Sequence, residues 1–274
     1  MKNYLGFTVL AAIVTTFGTL TGLFLKEFIF VRYFDNLKEQ KTLEKISQKY
    51  KDPILLSSSE LLRRFHDYAE NYVWLSKYSS TKILFDKVDK MQSIYITDPY
   101  FLNYKLLTTL YRFCSFFAWL ELYRQEVTFL DSQSKSKNFH FLSLISHIRE
   151  AIADGQINTG DDWDVQIYRE ELRAIGEGMI ENNGGQKTII GYGKFRMLIS
   201  QYETNKEPFW LNPAINFFTD LRPEKDFRLE RFKRMTSTLT ELIKYLDNDY
   251  YERIKPTLTA QFTSDSIRHM KNPN

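Results

Sequence analysis

The sequence predicts an all-α protein: an N-terminal transmembrane helix followed by a multi-helix, bundle-like soluble domain. Three observations carry that reading. No charged residue lies between Lys2 and Lys26. Beyond it, apolar residues recur at helical spacing in segment after segment, as at Leu61, Leu62, Phe65, Tyr68, Ala69 and Tyr72. Almost no segment alternates with period two, so a sizeable sheet is not expected.

Composition bounds the rest. The 274 residues allow one domain or two small ones. With 43% hydrophobic and 26% charged residues the chain is too apolar to be disordered. A single cysteine, Cys114, excludes an internal disulfide framework and any zinc site built from several thiolates. A net charge of +3 does not mark a general nucleic-acid binder, and none is expected as a partner.

The first element is the run Asn3 to Leu25. Roughly 20 apolar residues in a helix span the hydrocarbon core of a bilayer, where every backbone polar group must be satisfied within the segment. A cleaved secretory signal has a shorter apolar stretch and a small-x-small cleavage site, and neither fits here, so an uncleaved span is expected. Lys26, Arg32, Lys38, Lys41 and Lys45 follow it, whereas Lys2 alone precedes it. By the positive-inside rule the bulk of the protein belongs in the cytoplasm. Ala11, Thr15, Gly18 and Gly22 share one helical face, with a G-x-x-x-G pair at its end. Such a face suits a homodimer or a partner helix, but Gly and Thr are also simply common in membrane spans.

Residues 26–52 read as a juxtamembrane helical stalk. Phe28, Phe30, Tyr33 and Phe34 sit where aromatic side chains meet headgroups, and a polar, mixed-charge stretch runs from Lys38 to Lys51. Asp52-Pro53 is a helix-start signal and opens the soluble domain, residues 53–249. Helices are expected over about 54–77, 82–95, 100–130 and 139–153, from a cap at Asp162 or Asp164 to Ile180, and over 225–247. The run Phe113 to Leu120 is apolar nearly all round but only eight residues long, so it reads as a buried core helix rather than a second span. Asn182-Asn183-Gly184-Gly185 ends a helix, and Thr188 to Tyr202 is ambiguous between a short extended piece and a helix. From Tyr250 to Asn274 a polar C-terminal tail is expected.

No linear motif announces a chemistry. Asp161, Asp162 and Asp164 are the only dense acidic cluster; they lack the calcium-loop pattern and suit a helix N-terminus instead. His66 with Glu70, and His147 with Glu150, run in the wrong order for a di-iron bundle, so no metal or other cofactor is expected. Gly184-Gly185-Gln186-Lys187-Thr188 fails as a phosphate loop because Gln186 stands where the last Gly must be. Cys114 lies in an apolar run and reads as packing. Arg228, Arg231, Lys233 and Arg234 form a basic cluster interleaved with Glu224, Asp226, Glu230 and Glu241, which reads first as a solvated helix surface and second as a site for headgroups or an acidic partner.

Three segments carry a resemblance: Tyr50 to Leu55 leading to Leu61 to Phe65, then Tyr168 to Glu177 (YREELRAIGE), then Leu242 to Asp247. In these the chain resembles a group of bacterial single-span membrane proteins with a helical cytoplasmic domain and no assigned activity. The resemblance implies a place in the inner membrane and brings no functional residue with it. The expectation is therefore a membrane-anchored interaction or scaffold protein, whose partners are the bilayer, a protein of unknown identity, and a second copy through the span. The alternative is a membrane-tethered hydrolase or lipid-acting enzyme, with Asp162, Asp164 and His147 as candidate catalytic groups.

Overall fold

The structure, a computed structural model, describes residues 2–24, 26, 31–77, 79–85, 99–127, 139–153 and 163–260. It is mainly helical. The charge-free N-terminal run forms α1 (Lys2–Phe24), and α2 (Val31–Glu70) follows as a single long helix. Two short helices, α3 (Tyr72–Ser76) and α4 (Thr81–Phe85), lead toward α5 (Pro99–Val127). Then come α6 (Phe139–Ala153), a 3-10 turn at Trp163–Val165 and α7 (Arg169–Gly178). A hairpin, β1 (Ile180–Asn183) and β2 (Gln186–Ile189), precedes α8 (Tyr192–Asn205), α9 (Asn212–Phe218), α10 (Arg228–Leu246) and α11 (Asn248–Ala260).

Ion pairs and ring contacts give the directions. Lys49 and Tyr50 of α2 meet Glu126 of α5, Glu60 meets Arg112, and Asp67 meets Lys105, so α2 and α5 run antiparallel. Phe232 packs on Phe65, Tyr68 and Tyr72, while Tyr245 and Leu246 share a groove with Glu44 and Tyr50, so α10 is also antiparallel to α2. Arg231 reaches the carbonyls of Glu150 and Ala151 while Tyr245 stacks on Phe141, which sets α6 antiparallel to α10. With α7 packed between α5 and α6, five helices close a ring around one core. Phe217 and Phe218 of α9 plug it from inside. The apolar run Phe113 to Leu120 lies in this core, with only Trp119 partly exposed.

Some boundaries differ from the sequence expectation. The start expected at Asp52-Pro53 falls inside α2, which runs through Pro53. Proline removes one main-chain donor and crowds the preceding turn; buried Tyr50, Ile54 and Leu55 pack on either side and hold the helix together regardless. The helix expected to be capped by Asp162 or Asp164 begins at Arg169, where the Glu171 carboxylate accepts the Tyr168 N–H at 2.8 Å. The chain from Tyr250, read as a tail, stays helical to Ala260, with Tyr251, Ile254 and Leu258 turned into the core cluster. The helix expected over 82–95 is seen only as α4, and residues 86–98 lie outside the described set. Gly184 and Gly185 form the two-residue hairpin turn at φ +61° and +87°, the conformation that favours glycine at both positions.

Close packing of α7 on α5 rests on Gly176. A Cβ there would lie 2.7 Å from the Phe117 carbonyl oxygen. Gly176→Val is expected to cost about 2–3 kcal/mol, more than the few tenths gained in helix propensity, because backbone must move to admit the side chain. Chemical denaturation of the variant against the natural sequence measures this.

Among the described residues no helix is long and apolar enough to cross a membrane. In α1 the described side chains are those of Ile13 to Phe24.

Candidate functional site

The positions singled out in the sequence fare unequally. His147 is exposed on α6. Asp161 and Asp162 lie outside the described residues; Asp164 falls in the 3-10 turn, and its side chain is outside them too. Among the described residues, no three His, Cys, Asp or Glu side chains come together to hold a metal ion. Cys114 is fully buried, and burial pushes its thiol well above the usual range. Thr15 is exposed, and a Cβ added at Gly18 or Gly22 would meet nothing within 4 Å, so that part of the small-residue face is uncovered; the Ala11 side chain is not among those described.

The basic cluster on α10 is not a uniformly solvated face. Lys233 and Arg234 are exposed, but Arg228 and Arg231 are 1% and 0% exposed. Both close the C-terminal ends of other helices, where carbonyls lack intrahelical partners. Arg228 donates from Nη1 to the carbonyls of Asn216 (3.0 Å) and Thr219 (2.8 Å), and from Nη2 to that of Asp220 (3.0 Å). Its Nε and Nη2 also hold the Asp226 carboxylate at 2.7–3.1 Å. Arg231 donates to the Glu150 carbonyl at the end of α6 at 3.3 Å. The interleaved acids suggested a solvated surface, but one of them, Asp226, is the buried partner.

A different group of arginines, spread over three helices, converges on one pocket. Arg124 (α5), Arg149 (α6), and Arg169 and Arg173 (α7) line a cavity of about 420 Å³. Its apolar wall comes from Leu120, Tyr123, Val127, Leu142 and Ile145. Helical spacing builds this wall and rim: Leu120, Tyr123, Arg124 and Val127 are one face of α5, and Leu142, Ile145 and Arg149 one face of α6.

The charges are unequally matched. Arg124 clamps the buried Glu121 carboxylate with two bonds, Nε to Oε2 at 2.7 Å and Nη2 to Oε1 at 2.5 Å, and Gln125 adds a third at 3.0 Å. Burial alone would raise the Glu121 carboxyl; the bonds from Arg124 and Gln125 outweigh it and hold the group below its ordinary value. Arg173 donates to Glu177 at 3.0 Å, and Arg169 sits 3.8 Å from Glu150. Arg149, half-buried, donates no hydrogen bond and closes no ion pair among the described residues. Burial pulls its guanidinium below the usual arginine range; Glu121 opposes this, and Arg124, Arg173 and Arg169 add to it. Among the described residues one carboxylate, Glu170, lines the pocket itself.

A second groove of about 360 Å³ adjoins it through Tyr123. Tyr50, Tyr123, Phe141 and Tyr245 give it an aromatic lining, with Glu44 and Lys51 at its edge. Both features lie at the end of the bundle from which the first turns of α2 extend, since residues 44–50 of α2, 123–127 of α5 and 245–246 of α10 meet there.

Comparison with protein-family models, with curated proteins and with solved structures returns no match.

Proposed function

We propose that the chain is a single-pass bacterial inner-membrane protein that holds a helical binding domain at the cytoplasmic face. One observation carries the reading. Ile13, Val14, Phe17, Leu20, Leu23 and Phe24 of α1 are 52–73% exposed, so a row of large apolar side chains faces outward rather than into the domain. Apolar surface of that extent in water costs about 25 cal/mol per Å², and lipid removes the cost. The sequence supports the same reading: Asn3 to Leu25 carries no charge, and lysines and arginines gather on its C-terminal side.

The domain's part in this reading is recognition. The surfaces that support it are the aromatic groove and the arginine pocket, both at the end nearest the anchor. Tyrosine and arginine are the side chains that most often dominate binding at such surfaces.

Full-length protein is expected to stay with the membrane pellet after alkaline carbonate washing. An external protease is expected to leave the domain intact in whole cells. Val14→Arg combined with Phe17→Arg is expected to move the protein into the soluble fraction, because each charge near the centre of a span costs about 2.5–3.5 kcal/mol. Release of the unaltered chain by carbonate overturns the anchor, and digestion of the domain from outside overturns its orientation.

A further inference from the structure

We propose that the arginine pocket binds an organic phosphate: a phosphomonoester whose charged end sits among Arg149, Arg169 and Arg173 and whose apolar body lies along the wall of Leu120, Tyr123 and Leu142. This deepens the binding-domain reading, but it does not depend on the membrane anchor.

The charge pattern is the first argument. Guanidiniums are planar forks that grip phosphate and carboxylate oxygens in pairs. Drawing four of them to one cavity is unfavourable unless negative charge answers them. Glu121 answers Arg124 and Glu177 answers Arg173. Glu150 is too far from Arg169 for a tight pair, and Arg149 has no partner among the described residues. Glu170 is the one described carboxylate on the lining, so Arg149, which closes no ion pair among the described residues, is the guanidinium left for an incoming anion, and its planar fork suits phosphate oxygens.

The shape is the second argument. A cavity of about 420 Å³ lies within the usual range for small organic ligands and is far larger than a bare phosphate needs. Its floor is aliphatic and aromatic, so the ligand carries an apolar portion as well as a charge. A lipid headgroup with its first acyl carbons and a soluble phosphate ester share this chemistry.

The test uses the full chain in phosphatidylcholine nanodiscs, titrated with hexyl phosphate, inorganic phosphate and hexanol. Hexyl phosphate is expected to saturate one site at least tenfold more tightly than inorganic phosphate, with hexanol not binding measurably. Arg149→Gln, and separately the Arg169→Gln/Arg173→Gln pair, are each expected to weaken hexyl phosphate at least tenfold. Arg253→Gln, on the exposed face of α11, is expected to leave it unchanged. Arg169 and Arg173 are more than half exposed, so the pair keeps the test open if loss of Arg149 disturbs folding. Repeating the titration in discs containing phosphatidic acid separates the sources: a weaker apparent affinity for hexyl phosphate in the unaltered protein points to a lipid headgroup, and an unchanged one to a soluble ester. Absence of saturable hexyl phosphate binding overturns the proposal, as does equal binding by the unaltered protein and the Arg169→Gln/Arg173→Gln variant.

Discussion

Asp226→Asn is expected to destabilise the domain by about 3–5 kcal/mol, the usual cost of breaking one side of a buried ion pair. The substitution leaves the Arg228 guanidinium 1% exposed with carbonyl partners alone. The same carboxylate accepts main-chain N–H groups from Arg222 (2.9 Å) and Arg228 (3.0 Å), so it also organises the turn into α10. Arg228→Met alone is expected to cost a similar amount, since it strands Asp226 and uncaps the end of α9. The double variant is expected to recover part of the loss, and a double-mutant cycle by denaturant melting reads that coupling.

Asp226 also fixes an acid limit. Burial alone would raise its carboxyl; the Arg228 guanidinium and the Arg222 N–H outweigh burial and hold it down at about 2, against an ordinary 3.8. A carboxyl depressed in the folded state contributes stability fully above its ordinary value and loses it as pH falls through the folded one. The contribution, about 2 kcal/mol, is therefore expected to disappear between about pH 4 and pH 2. Asp226→Asn is expected to show a flatter stability profile across that window. An equal acid slope in both proteins contradicts the assignment.

Phe232→Ala is expected to cost about 3–5 kcal/mol, a large share of the 5–15 kcal/mol by which domains are typically stable. The ring is fully buried on α10. Its centroid lies 5.0 Å from Tyr68, 5.4 Å from Phe217 and 5.5 Å from Phe65, so removing it opens a cavity where α2, α9 and α10 meet. Phe232→Leu refills most of that space and is expected to cost less than about 2 kcal/mol. Melting of the two variants side by side distinguishes lost volume from lost ring geometry.

Much of this architecture is legible in the residues. The expected helix over 139–153 is α6, and the three-and-four spacing of Phe232, Met235, Leu239 and Leu242 marks the face that α10 buries. Those elements are amphipathic and bounded by polar loops, so local pattern suffices. Pro53 misled because a proline reads as a start wherever it follows Asp, while tertiary packing decides whether a helix runs through it. Arg228 and Arg231 misled for a related reason: charges on a helix look solvated until the carbonyl ends they cap are known. The arginine pocket left a fainter trace. Arg169 and Arg173 stand one turn apart, but Arg124 and Arg149 lie in two other segments, and only the fold brings them together.

The unbroken α2 sets a fixed length between its own start and the core. From Val31 to Leu43, where α2 first enters the core, a continuous helix rises about 18 Å at about 1.5 Å per residue. Within that rod, every residue inserted would carry the start of α2 one such increment farther from the core and turn it by about 100°.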